Sequence, residues 1–307
     1  MEMSDIFQAI LSGLALGGVY ALVALGFNIT YNTTKTFNFG QGEFLVVGAF
    51  IGLASISIIS GKGYAGALTE EDVTPLIYFA GAIASVVVLA VLGVLLYFTA
   101  VRPFQNYSGL AWVMSTIGFG IIAQNVALAI WGPSSYAMPS PLGNGILRIG
   151  DVGVRPQEIL VLVVTLCIIV GLDFFLRKTR LGKAVRAVSQ NHNAATMMGI
   201  NVSAIIILAF VISSCLAGLG GLLVAPITTV SVFMGLALAL KAFSAAILGG
   251  LDNPRGCMLG GFIIGLLESL IGLWQAGLRE ITIFLLIILV LVIKPEGLLG
   301  RRYIEKV

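Results

Sequence analysis

Residues 35–44 read KTFNFGQGEF, and the chain on either side of this polar stretch is apolar enough to lie in lipid. Residues 6–27 run up to it and residues 44–60 lead away from it. Between them stand Asn38, Gln41 and the carboxylate of Glu43, with Gly40 and Gly42 loosening the backbone. Whether this stretch is a water-exposed turn or polar backbone held inside a membrane decides how many times the chain crosses, and on which side it starts.

Working outward, the remaining apolar runs fall at 76–101, 111–131, 159–176, 202–225, 233–250, 257–273 and 281–293. Most approach the roughly 20 residues that a helix needs to cross hydrocarbon. Two are weaker: 233–250 is interrupted by Lys241, and 257–273 is short, Gly-rich and carries Glu268. Apolar residues make up 58% of the 307 and charged residues only 10%, too little polar surface for a water-soluble fold of this size. The 38 glycines fit close helix packing in lipid. The expected fold is all-α, a polytopic transmembrane helical bundle in a lipid bilayer, with about eight to ten spans and broken or re-entrant segments. The first run lacks a basic leader region and carries Glu2 and Asp5, so it reads as a retained span and not a secretory signal. A net charge of +3 gives no reason to expect a nucleic-acid partner. Cys167, Cys215 and Cys257 are scattered, without metal-ligand or disulfide spacing.

Basic residues orient the chain. Arg177, Lys178, Arg180, Lys183 and Arg186 crowd one short interval, and Lys294, Arg301, Arg302 and Lys306 mark the tail. The positive-inside rule makes both cytoplasmic. The 61–75 loop, with Glu70, Glu71 and Asp72 against Lys62, and the Pro-containing 132–157 loop fall outside. Two inside regions require an even number of crossings after Asn201, so 233–250 counts as a crossing. The N-terminus is outside if 28–43 is only a loop, and inside if 28–43 is an extra broken crossing.

The interval RKTRLGKAVRAVSQNHNAATMMGINV (177–202) is too long for a tight turn. Leu181, Ala184, Val185 and Val188 recur at helical spacing. Asn191 and Asn193 can cap a second short helix over 194–198, which Gly199 can end. Such a pair is either a basic interfacial segment on anionic lipid or a docking element.

The pattern T-x-x-G-x-A-x-R-A, then N-x-A-A and G-I, resembles the cytoplasmic coupling loop of ABC importer permeases for branched-chain amino acids. It is carried here by Thr179, Gly182, Ala184, Arg186, Ala187, Asn193, Ala194, Ala195, Gly199 and Ile200. GLALGGVYALVALGFNITY with FNFGQGEFLVVGAF is similar to that family's first block, whose usual NFAHGE form has His where Gln41 stands. KAFSAAILGGLDNPRGCMLGGFIIGLLE and KPEGLLG are similar to its closing blocks, although LDNPRG is more charged than the common Gly-Ser version. The resemblance implies one permease domain over 1–307 with a coupling segment at 177–201, in a bacterial inner membrane. It further implies a second related permease, two cytoplasmic ATP-binding subunits holding ATP and Mg, and an extracytoplasmic substrate-binding protein. This chain has no G-x-x-x-x-G-K-[ST] phosphate loop, so it would bind no cofactor and catalyse nothing itself. The implied cargo is a branched-chain or related small amino acid; similar permeases serve urea, short-chain amides and aromatic acids. With this resemblance, 35–44 reads as a broken or re-entrant element, Asn38 and Glu43 stabilising the backbone at its ends. Gln41 removes a titratable imidazole there.

Other polar groups sit in apolar runs. Glu268 is either a pathway or subunit-contact residue, or a paired or snorkelling carboxylate, and Lys241 is its nearest candidate partner. Ser115, Thr116, Gln124 and Asn125 can line a path or tie helices together, as can Tyr20 and Asn28. His192, the one histidine, has no companions suited to a metal site and reads as a solvated loop residue. Two other classes compete. An ion-coupled secondary transporter also uses broken helices but needs no paired-helix dock. An intramembrane enzyme would draw on Ser115, Asp173 and Glu268.

Overall fold

The longest apolar run forms the axis of the molecule. In the computed structural model, which describes residues 3–104, 111–143, 145–149 and 152–300, helix α1 covers Met3–Thr34. It packs against α8 (Val202–Val224) and α10 (Pro254–Trp274), and with α2 (Gln41–Ile59) these helices form the buried centre. Helices α3 (Pro75–Leu96), α4 (Ala111–Trp131), α5 (Pro156–Lys178) and α11 (Arg279–Ile293) stand outside them, and α9 (Met234–Gly249) fills the gap among α1, α2 and α10.

Local chemistry sets the starts. Pro75, Pro156 and Pro254 occupy first-turn positions, where a missing N–H costs nothing. Thr74, Asn201 and Asn253 accept backbone N–H groups as N-caps. The α1–α10 contact depends on small residues: a Cβ on Gly265 would lie 2.3 Å from the Gly17 Cα. Such closeness gives lipid-embedded helices their dispersion contacts. By contrast α3 turns Leu76, Phe79, Ile83, Val87, Val91 and Leu95 outward, a wholly apolar stripe suited to acyl chains.

Among the described residues, eight helices are long and apolar enough to span, and α9 is a shorter apolar one. Its 16 residues reach about 24 Å at 1.5 Å per residue, short of a ~30 Å core. Contacts fix the direction of each helix. Ser12 on α1 donates to Glu158 at the start of α5 (2.7 Å), whereas the Thr33 carbonyl at the other end of α1 meets His192 beyond α5. The N-terminal end therefore lies on the face opposite the 177–201 interval. The tail lies on the same face as that interval: Leu298 and Leu299 donate to the carbonyls ending α9, and Asn253 donates to the Leu299 carbonyl. Four helices, α8 to α11, separate the interval from the tail, with α9 descending as the short member.

The opposite face carries a two-stranded antiparallel hairpin, β1 (Leu147–Ile149) and β2 (Val152–Val154), and a bridge between Tyr136 and Val230. The loop joining α2 to α3 is tied by Lys62 and Asp72 at 2.5 Å. The Asp72 carboxyl is held down to about 2, first by the hydrogen bond from Lys62 and then by those from the Thr69 hydroxyl and amide.

Candidate functional site

The polar stretch at 35–44 begins where α1 runs out of spanning residues. Thr30, Thr33 and Thr34 turn their hydroxyls back onto α1 carbonyls, which keeps them satisfied without water. Lys35 then takes a left-handed conformation (φ 58°), rare for a non-glycine residue, and the chain reverses. It climbs back beside α1, and α2 starts at Gln41, whose amide donates to the carbonyl of Ser213, half-way along α8 (3.0 Å). The Ser213 hydroxyl lies 2.9 Å from the Gln41 Oε1 and 3.0 Å from the Gly26 carbonyl. Gln41 is fully buried, and so is Asn38, whose Oδ1 accepts from the Gly40 N–H at 3.1 Å.

Two expectations need correction. Gly40 and Gly42 do not unwind the backbone, since Gly40 has φ −74° and Gly42 is helical. They allow contact instead: a Cβ on Gly42 would lie 2.8 Å from the Gly235 carbonyl of α9, and Gly40 abuts Thr116 and Gly120 of α4. Glu43 does not satisfy the backbone at the end of the element. Its Oε2 is buried without a hydrogen-bond partner among the described residues, and its side chain lies against Gly120. Its place in the first turn of α2 suits the helix dipole.

An aromatic cluster closes the turn. Phe37 stacks on Tyr31 (4.9 Å) and meets Phe243 of α9 edge-on (5.2 Å), while Phe39 touches Phe37 and Phe243. Sequence reasoning missed Phe37, Phe39 and Phe243. In an apolar background the F-N-F spacing was the visible signal, and Phe243 is distant in the chain.

A second constellation sits deep among α1, α9 and α10. Lys241 reaches Glu268 at 2.5 Å, and Tyr20 donates its hydroxyl to the other carboxylate oxygen at 2.8 Å. The side chains of Lys241 and Glu268 are 12% and 10% exposed, so the charge is paired and covered; it does not snorkel to the surface. Asn28 donates to the Leu251 carbonyl, at the turn after α9.

The polar groups of α4 divide. Thr116 accepts from the Phe39 N–H at 3.4 Å, and Gln124 donates to the Val232 carbonyl just before α9. Asn125 is exposed and donates to Ile121 of its own helix, so it ties no second helix among the described residues. Ser115 lies on α4, Asp173 on α5 and Glu268 on α10; Asp173 is paired with Arg177 and Glu268 with Lys241.

The 177–201 interval forms two helices, α6 (Arg180–Gln190) and α7 (His192–Met197). Thr179 caps the first by accepting from the Gly182 N–H, and Asn191 caps the second by accepting from the Ala194 N–H. Asn193 lies within α7 and caps nothing, while Gly199 (φ 78°) follows the helix end. Val185, Val188 and Ala195 bury a small apolar core against Leu176 and Ile205, the ends of α5 and α8. Gly182 lets α6 sit directly on α5: a Cβ there would lie 2.3 Å from the Phe175 carbonyl. Ala184 and Ala187 are half-buried beside this core, and Ala194 is exposed. Arg186 bends inward toward the Arg177 carbonyl (3.4 Å). His192, expected in a solvated loop, is exposed but places Nε2 2.8 Å from the Thr33 carbonyl, linking α7 to the last turn of α1. Met197 and Met198 stand 89% and 83% exposed at the tip.

The site thus comprises a polar turn that enters the bundle between two continuous helices, a paired charge deep among α1, α9 and α10, and a two-helix shelf on one face. The family model for the branched-chain amino acid transport system / permease component matches residues 9–293. The chain belongs to this permease family. It is 32% identical to the high-affinity branched-chain amino acid transport system permease protein BraD of Pseudomonas aeruginosa, covering 100% of this chain and 99% of BraD. It is 31% identical to the LivH permease of the same description from Escherichia coli K12, covering 98% and 97%. The D-allose transport system permease protein AlsC of Escherichia coli K12 is 28% identical, with 80% of this permease and 75% of AlsC covered. The likeness thus extends to a permease named for a sugar, and membership alone does not name this permease's cargo.

Proposed function

We propose that this permease carries branched-chain or related small amino acids inward across a bacterial inner membrane, driven by ATP hydrolysed on separate subunits. The α6–α7 shelf carries this reading. Its underside is fixed to α5, α8 and α1, so the shelf and the spanning helices move together, as a bistable coupling contact requires. Its outer tip leaves Met197 and Met198 bare, and flexible thioethers suit a groove on a partner protein. Two cytoplasmic ATP-binding subunits, a second related permease and an extracytoplasmic substrate-binding protein complete the assembly. The tail and the shelf then face the cytoplasm. An exposed amide within a span is costly in lipid, so the outer side of α4 bearing Asn125 is assigned to the second permease or to the water-filled path between the two. The cargo is taken from the relatives' names together with the resemblance of the first, coupling and closing blocks.

The test is co-expression with the genomic neighbours, followed by purification and reconstitution. An ATP-binding subunit should co-purify, and leucine uptake should need ATP and stop with vanadate. Met197→Asp with Met198→Asp should abolish co-purification while the permease still folds. Uptake driven by an ion gradient without ATP would overturn the proposal in favour of a secondary transporter.

A further inference from the structure

A cleft of about 690 Å³ opens on the shelf side, between the end of α1, the α5–α6 corner and the α9–α10 turn. Lys35, Arg177, Lys178, Arg186 and Arg255 line it, against the two carboxylates of Asp173 and Asp252. Asp173 is already engaged by Arg177 at 2.9 Å and by Arg255 at 3.7 Å. Among the described residues, Lys35, Lys178 and Arg186 pair with no carboxylate. Lys35, held in the left-handed conformation, lines the cleft with its Nζ 5.5 Å from the centroid of the Tyr31 ring. The floor is different: Ile29, Leu176, Val185 and Pro254 are apolar. Asn28, Asn32 and Asn253 add neutral hydrogen-bonding groups between floor and rim.

We infer that this cleft binds the phosphate-bearing headgroup of an anionic phospholipid. A cationic rim over an apolar floor fits an amphiphile, with the phosphate among Lys35, Lys178 and Arg186 and the first acyl carbons against Leu176 and Pro254. The position agrees, since the cleft is walled by the ends of spanning helices, at the depth where headgroups lie. Basic pockets between spanning helices hold anionic headgroups by this combination of charge and shape. A docked protein is the weaker occupant, because the exposed apolar side chains of α6 and α7, Leu181, Met197 and Met198, do not line the cleft, whereas the Arg186 guanidinium does and donates to the Arg177 carbonyl. A lipid seated here touches α1, α5, α6 and the α9–α10 turn together, and so stiffens the joint between shelf and bundle. The inference does not depend on the cargo.

The test uses the full-length chain, delipidated in detergent and examined by native mass spectrometry with added phosphatidylglycerol, phosphatidylcholine or inorganic phosphate. Phosphatidylglycerol should be retained and phosphatidylcholine should not. Lys35→Gln and Lys178→Gln should each weaken retention roughly fivefold, and the double variant roughly 25-fold. Neither lysine has a carboxylate partner among the described residues, and the Lys35 ammonium lies over the Tyr31 ring, so unchanged circular dichroism is the check that folding is preserved. Equal retention of the two lipids, or of phosphatidylglycerol by wild type and double variant, overturns the inference. Binding of inorganic phosphate without retention of phosphatidylglycerol overturns the lipid assignment in favour of a soluble phosphate. Loss of a co-purifying protein by a double variant that still holds the lipid assigns the cleft to that protein instead.

Discussion

Removing the Glu268 side chain tests whether the deep charge pair holds α9 in place. Glu268→Ala leaves the Lys241 ammonium, 12% exposed, without its carboxylate, and leaves the Tyr20 hydroxyl without an acceptor. Stranding one member of a buried ion pair costs about 3–5 kcal/mol. Insertion scales set a similar floor, about 2.5–3.5 kcal/mol for a lone charge at mid-membrane. Lys241→Ala strands the carboxylate with one hydroxyl donor and should cost a comparable amount. The double change to Lys241→Met and Glu268→Leu removes both charges and refills the volume, and such replacements are neutral or favourable in other buried pairs. The single variants should therefore each lose about 3–5 kcal/mol while the double loses about 1–2, a coupling of several kcal/mol. The assay is reversible unfolding of the purified chain in mixed micelles of mild detergent and dodecyl sulfate, followed by helicity. Single losses below about 1 kcal/mol, or a double variant equal to the sum of the singles, would refute the pairing as the anchor of α9.

Three further outcomes follow from named contacts. Gly182→Val forces α6 off the Phe175 carbonyl, and overpacking of this kind costs about 1–3 kcal/mol; it should raise proteolysis of 177–201 while the spanning helices stay folded. His192→Ala should speed amide exchange across α7 roughly fivefold by losing a bond of about 1 kcal/mol to the Thr33 carbonyl, and His192→Gln should restore part of the protection. Asp72 is held at about 2, below the ordinary ~3.9 of an aspartate, so its carboxylate stabilises the folded loop fully above about pH 4. That contribution is lost as pH falls through about 2. Hydrogen exchange over 60–74 should show the loosening, and Asp72→Asn should remove the pH dependence.

The spans were legible because hydrocarbon imposes one length, and the run carrying Glu268 met it while the run carrying Lys241 fell short as the 16-residue α9. The two interruptions then explained each other: in a medium without water, each charge needs a partner, and only one of opposite sign lay within a nearby span. The helices of the 177–201 interval were legible from spacing and caps, although Asn191 alone caps α7. What escaped the sequence were contacts whose second partner is remote. Gln41 finds Ser213, Phe37 finds Phe243, and His192 finds Thr33, each across distances that local patterning does not encode. The glycines misled for a related reason. A glycine can serve a turn or a close approach, and only the position of Gly235 shows that Gly42 serves the second. Parity left the N-terminal end open, and the Ser12–Glu158 contact puts it on the face opposite the 177–201 interval.

The seat of Gln41 also constrains how the protein is made. Its amide bonds to a carbonyl 172 residues further along the chain. At about 5–20 residues per second, roughly 10–30 s of synthesis separate the two partners. During that interval the Gln41 amide lacks its Ser213 acceptor, and an unsatisfied amide in hydrocarbon costs several kcal/mol. The 35–41 stretch must therefore wait in water, at the membrane surface or inside the insertion machinery, and sink to its final depth only when α8 arrives. The first two spans are consequently not a finished hairpin on release from the ribosome. A nascent chain stopped before Ser213 should expose a cysteine placed at position 38 to a membrane-impermeant thiol reagent, and one extended far enough for all of α8 to leave the ribosome should hide it.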